Sequence, residues 1–162
     1  MALQDKLDDL DRKLLKLLQQ NSRRTVKELA AGINLTATPT FERQRRLERE
    51  GYITNYAAVV DYQKVGNSVI VLCNIRLKQH THDLIQQFMD TVQDIDEITE
   101  CYNTTGDFDF QIKVYARDMQ AYQDFMLNTL GNIDCIGSIN SVIVIGEIKN
   151  SHVIPAPGER EA

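Results

Sequence analysis

The chain has no tryptophan and only three cysteines in 162 residues. Cys73, Cys101 and Cys135 are odd in number, widely spaced and without CxxC or Cys/His ligand spacing, which speaks against a disulfide framework or a zinc site. Each lies among apolar neighbours and reads as a buried, reduced thiol. His80 and His82 form an isolated HxH with no third ligand in view, so neither a metal nor a cofactor is assigned. No apolar run approaches the roughly 18 residues that a membrane span needs, and the opening MALQDKLDD is no signal peptide. A cytoplasmic location without a membrane partner is the expectation. There is also no Ser/His/Asp set and no phosphate loop. Asp107 and Asp109 are a carboxylate pair without an acid–base partner, so the chain does not read as an enzyme.

What is present is an ordinary globular composition, 43% hydrophobic, in a length that allows one medium domain or two small ones. The net charge of −5 is unevenly spread. Residues 1–60 hold 11 Lys/Arg and 8 Asp/Glu, a balance of +3; residues 61–162 hold 7 and 15, a balance of −8. A basic first third beside an acidic remainder suggests two domains, only the first suited to a polyanion.

In the first third, Asp8 or Asp9 can cap a helix running to about Gln20, with Leu10, Leu14, Leu17 and Leu18 as its apolar stripe. Thr25-Val26-Lys27-Glu28 is a capping box opening a second helix, whose buried face is Val26, Leu29, Ala30 and Ile33. After a turn at Gly32-Ile33-Asn34-Leu35 comes LTATPTFERQRRLEREG, Leu35 to Gly51, which reads as a third helix. Thr36 can cap it, Pro39 falls within its first turn, and Gly51 can end it. Helix, helix, short turn, helix is the helix-turn-helix pattern. Tyr52–Val60 has strand-like composition and would form a wing or a link onward.

The third helix carries Arg43, Arg45, Arg46 and Arg49. From those residues alone, a DNA-reading helix and a solvated surface helix are equally good readings. At 100° per residue, Thr40, Gln44 and Leu47 share the side that can face a core, while Thr38, Glu42, Arg45 and Arg49 lie opposite, with Phe41 and Arg46 on the flanks. In a DNA reader, Thr38, Phe41, Glu42 and Arg45 would meet base edges, and Arg45 could grip guanine with two hydrogen bonds. Arg46 and Arg49 suit phosphates, as do Arg23 and Arg24 before the second helix, and Thr36 at the entrance completes the DNA-facing set.

Beyond residue 60 the pattern alternates. Ser68–Lys78 is a strand, His82–Val92 a helix and Glu97–Asn103 a second strand. Thr104-Thr105-Gly106-Asp107 is turn chemistry, pairing that strand with a third over Phe108–Ala116. Asp118 caps a helix that Gly131 closes, and Ser138–Lys149 is the last strand. The order β-α-β-β-α-β is the ferredoxin-like unit. Two helices cover one face of such a sheet, yet Ile70, Leu72, Val142 and Val144 make the other face apolar as well. A second copy of the chain is the simplest cover, which predicts a homodimer placing two reading helices on one pseudo-palindromic site. The fold class is therefore α+β: an N-terminal winged helix-turn-helix over 1–60, a ferredoxin-like βαββαβ domain over 61–149, and a mobile tail over 150–162.

These residues resemble the Lrp/AsnC, or leucine-responsive, transcription regulators. The resemblance rests on LDDLDRKLLKLLQQNSR, on VKELA, and above all on Leu35-Thr36-Ala37-Thr38-Pro39, Arg45-Arg46, Leu47-Glu48 and Gly51-Tyr52-Ile53. In the second half, Glu100 to Asp109 stands where the family has its threonine-glycine-x-x-aspartate hairpin. The match spans about residues 5–149 in order. Gln44 stands where the family is usually aliphatic, Thr40 is more polar than usual, and Arg24 replaces a usually apolar residue. The resemblance implies double-stranded DNA as a partner, dimers assembling into octamers, and an amino-acid-like effector bound between dimers. By position it assigns Thr104, Thr105, Gly106, Asp107 and Asp109 to that effector. Without the resemblance, Thr105-Gly106-Asp107 reads first as a plain hairpin turn; it is the resemblance that favours the effector reading. The competing reading of the whole chain is a ligand-sensing or protein-docking module whose winged helix does not bind DNA.

Overall fold

Capping decides where the first helices begin. In the computed structural model, which describes residues 7–156, α1 runs Asp9–Gln20. The first six residues, and the last six of the expected tail, lie outside the described residues. The Asp8 carboxylate accepts from Asp11 N–H at 2.8 Å, and the Asp11 carboxylate accepts from Asp8 N–H at 3.1 Å, so two acids form a capping box. The expected box at Thr25 and Glu28 opens α2, Val26–Gly32. Asn34, in the left-handed region at φ +57°, then turns the chain into α3, Ala37–Arg49. Thr36 holds the N-cap position of α3, but its hydroxyl makes no capping bond, contrary to expectation. Its carbonyl is used instead, accepting from the buried Thr40 hydroxyl at 2.8 Å, which satisfies a polar group inside the core. Gly51 ends the helix at φ +78°, a conformation that costs glycine nothing. Leu14, Leu18, Leu29, Ile33 and Leu47 form the core of this unit, with Tyr52 and Ile53 packed on its edge.

Tyr52–Val60 is not a strand, so of the two expectations it is the link rather than a paired wing. β-rich composition makes a strand only where a second strand offers backbone partners, and this unit has none among its described residues. Among the described residues, those up to Ala58 and those from Ile148 form one compact unit; Val59–Glu147 forms the other. The C-terminal segment makes a two-point contact in the first unit: Ile154 N–H donates to Gln19 Oε1 at 2.6 Å, and Gln19 Nε2 donates to Ile154 O at 3.2 Å.

The second unit has the predicted element order: β1 Val69–Leu77, α4 His82–Gln93, β2 Ile98–Asn103, β3 Phe110–Ala116, α5 Met119–Asn128, a 3-10 turn Leu130–Asn132, and β4 Ile136–Ile143. The sheet order is β2-β3-β1-β4 and every neighbouring pair is antiparallel. Val71, Cys73 and Ile75 of β1 and Phe110, Ile112 and Val114 of β3 face Phe88 and Val92 of α4 and Tyr122 and Phe125 of α5. Phe88 and Phe110 are in ring contact with centroids 4.6 Å apart. β4 stops at Ile143, short of the expected Lys149, because Ile143 pairs with Val71 and β1 begins only two residues earlier. The apolar run outlasts its partner. β3 starts at Phe110, leaving Phe108 and Asp109 to the hairpin turn. Cys73 and Cys135 are buried free thiols, whereas Cys101 is exposed because β2 is an edge strand. On the open face Ile70 is buried, Leu72 and Val144 are half-buried, and Val142 is exposed.

Candidate DNA-reading helix and effector hairpin

α3 presents the two sides that its sequence period implies. Thr40 and Leu47 are fully buried, while Thr38, Phe41, Glu42, Arg45 and Arg49 are exposed. Thr36 is exposed at the entrance; Arg23 is exposed and Arg24 half-buried just before α2. The Arg45 guanidinium lies over the Phe41 ring, 5.4 Å from its centroid, and its Nη1 is 3.7 Å from Glu48 Oε2. Gln44 does not anchor the helix in the apolar core. It is half-buried, and its Nε2 donates to Tyr56 Oη at 3.1 Å and to Glu48 Oε1 at 3.2 Å. The unusual amide has found polar partners in the segment that follows the helix.

The four arginines do not all do the same work. Asp11 of α1 is fully buried, and its carboxylate faces Arg43 Nη1 at 2.8 Å and, on the other oxygen, Arg46 Nη2. Arg43 Nη1 also reaches Asp8 at 2.6 Å. The bonds from Arg43 to Asp8 and Asp11 outweigh its partial burial and raise its pKa above the ordinary value. For Asp8, burial pushes the carboxyl up, but the Asp11 N–H and the Arg43 guanidinium outweigh it and hold the group below its ordinary value. Arg46 is engaged by Asp11 through Nη2, and its Nε is buried without a hydrogen-bond partner among the described residues, while the side chain as a whole is 34% exposed. Arg45 and Arg49 remain on the outer face. Asp11 went unrecognised in the sequence because an acid in a first helical turn reads as a cap, and nothing local announces arginines some 32 residues away.

At the other candidate site, Gly106 sits at φ +108°, which explains a glycine at the tip between Thr105 and Asp107. Thr104 N–H donates to Asp109 O at 2.9 Å, and the Thr104 hydroxyl donates to Phe108 O at 3.0 Å, closing the hairpin. Asp109 is a clasp rather than an open acceptor. Its Oδ2 accepts from Leu77 N–H at 2.7 Å, its Oδ1 lies 2.8 Å from His80 Nδ1, and its own N–H donates to Ile75 O at 2.9 Å. Arg76 Nε donates to Asp107 O at 2.9 Å, and its guanidinium lies over the Phe108 ring. Thr105, Gly106 and Asp107 are exposed, and none of their N–H groups is bonded among the described residues. Arg76 and His80 are thus hairpin residues that sequence reasoning missed; only the antiparallel pairing of β1 with β3 brings them there. Among the described residues, no group of three or more His, Cys, Asp or Glu side chains could hold a metal, and no helix is long and apolar enough to cross a membrane.

Comparison with known proteins places both halves. Residues 7–54 match a family model described as winged helix-turn-helix DNA-binding, and residues 70–154 match one described as Lrp/AsnC ligand binding domain. The leucine-responsive regulatory protein of Klebsiella pneumoniae is 36% identical over 146 residues, which are 90% of this chain and 89% of that protein. A transcriptional regulator from Neisseria meningitidis, solved as a complex with L-methionine, is similar in structure with a TM-score of 0.89 at 29% identity, covering 92% of this chain and 96% of its own. An AsnC family transcriptional regulator from Agrobacterium tumefaciens gives a TM-score of 0.87 at 32% identity, covering 92% and 97%. With the reading helix, the four-stranded sheet and these likenesses together, the chain belongs to the Lrp/AsnC family of transcription regulators.

Proposed function

We propose that this regulator reads double-stranded DNA through the outer face of α3 and responds to an amino acid or similar small molecule held at the Thr104–Asp109 hairpin. The carrying observation is the division of α3 itself. Thr38, Phe41, Glu42, Arg45 and Arg49 are presented to solvent from a helix whose inner face is fixed by Thr40, Leu47 and the Asp11 ion pairs. Thr38, Phe41, Glu42 and Arg45 take the base edges; Arg49, Arg23, Arg24 and the Thr36 hydroxyl take the backbone. Arg46 serves by holding the helix in place.

At the hairpin the unbonded N–H groups of Thr105–Asp107 suit an effector carboxylate, and the Asp107 side chain suits its ammonium. Thr104 and Asp109 shape the turn. The methionine complex of the Neisseria relative supports an amino acid as the effector class. The open sheet face, with Leu72, Val142 and Val144 incompletely covered, is the homodimer surface, and dimers assemble further to an octamer in which effectors lie between dimers. The effector acts by favouring one assembly, which changes how several reading helices span DNA. The site of action is the cytoplasm, the chain holds no cofactor, and no catalytic role is assigned to it.

The test is light scattering together with gel shift across a panel of amino acids. At least one member is expected to change both mass and affinity. A panel that moves neither leaves DNA binding standing and removes the effector.

A further inference from the structure

We propose that Tyr56, outside the reading helix, is a positioning residue that sets the base preference of Arg45. The inference rests on the reading of α3 as a DNA reader. Tyr56 lies in the segment leading away from α3, three residues beyond Ile53, which packs on the helical core. Its hydroxyl donates to Glu48 Oε1 at 2.9 Å and accepts from Gln44 Nε2 at 3.1 Å; Gln44 Nε2 also reaches the same Glu48 oxygen at 3.2 Å. The three side chains close a triangle. The second Glu48 oxygen, Oε2, is the one 3.7 Å from Arg45 Nη1, and the Arg45 guanidinium also lies over the Phe41 ring. A continuous line of contacts therefore runs from the departing segment through Glu48 to Arg45 and Phe41.

Glu48 is the hinge of that line. Its side chain is only 27% exposed, whereas that of Arg45 is 67% exposed. An arginine this open has many rotamers, and gripping one base edge requires giving most of them up. A carboxylate fixed by two donors on one oxygen offers the other oxygen in a constant place, and the Phe41 ring further limits where the guanidinium can go. Burial, followed by the pull of Glu48, holds the Tyr56 phenol above its ordinary value despite the opposing bond from Gln44, so it stays protonated and donating.

The experiment uses the full chain and a set of binding sites differing by one base pair at a time. Arg45→Ala first locates the base pair that Arg45 reads. Tyr56→Phe, which removes one oxygen and keeps the ring, is expected to lower discrimination at that same base pair by about two- to fivefold, the size of one exposed polar contact. Discrimination elsewhere, the salt dependence and the melting temperature should stay as in wild type. Glu48→Gln, which can still accept from Tyr56 but no longer attracts Arg45, should give the same local loss. Tyr56→Phe added to Arg45→Ala should lose nothing more. Wild-type discrimination in Tyr56→Phe, or an equal loss at every site, overturns the assignment, as does an Arg45→Ala that changes no position. Absence of salt-dependent DNA binding by the wild type fails at the earlier step, the DNA reading itself, and takes the inference with it.

Discussion

Asp11→Ala is expected to destabilise the reading unit by about 3 kcal/mol, the lower part of the range for removing one member of a buried ion pair. The lower part applies because the partners are not fully buried: the Arg43 and Arg46 side chains are 25% and 34% exposed, against 0% for Asp11. Taking the carboxylate away leaves Arg43 its ion pair with Asp8 but removes the acid that Arg46 faces. It also leaves Arg46, whose Nε already has no partner among the described residues, with less of its charge compensated. The same change removes the N3 half of the α1 capping box, worth a further fraction of a kcal/mol. Against a domain stability of about 5–15 kcal/mol, such a loss is large enough to see directly in urea unfolding. DNA affinity should fall with it, since α3 would lose the contacts that orient it on α1. A stability within about 0.5 kcal/mol of wild type would show that the ion pairs are idle.

Phe110→Ala should cost the ligand-binding unit about 3–5 kcal/mol. Phe110 is 1% exposed, its ring meets Phe88 at 4.6 Å, and it opposes Ile75 on one side and Asn103 on the other at the start of β3. A cavity there sits directly beneath the hairpin. The neighbouring Asp109 clasp on Leu77 and Ile75 depends on β1 and β3 keeping their register. Calorimetric or urea unfolding should therefore show a lower midpoint, and effector-induced changes in mass should weaken in parallel. Full effector response in a destabilised variant would separate the hairpin from the strand beneath it.

Much of this was readable in advance wherever the cause is local. The Thr25/Glu28 box, the 3.6-residue stripe of α1, the Gly51 stop and the Thr104–Asp107 turn all act within a few residues of themselves, and each stands where its chemistry put it. The readings that changed depend on distant partners. Tyr52–Val60 has the composition of a strand and nothing to pair with; Ser138–Lys149 has it as well, but its partner runs out at the start of β1. Thr36 has the right residue type for a cap, yet its carbonyl is used and its hydroxyl is not. In the reading helix, charge alone could not separate Arg45 and Arg49, which face outward, from Arg43 and Arg46, which face Asp11. At the hairpin, the two structural partners of Asp109, Leu77 N–H and His80, are about thirty residues distant and meet it only across the sheet, so no local pattern shows them.

The central claim is that the outer face of α3 meets DNA phosphates and bases, and the salt dependence of binding tests it most directly. For wild type, the logarithm of the association constant should fall linearly with the logarithm of salt concentration, with a slope of about −0.9 for each phosphate neutralised. Arg49→Ala should weaken every site alike and make that slope shallower by about 0.9, the share of one lost phosphate contact. A wild-type slope near zero, or an Arg49→Ala variant with an unchanged slope, would contradict the account.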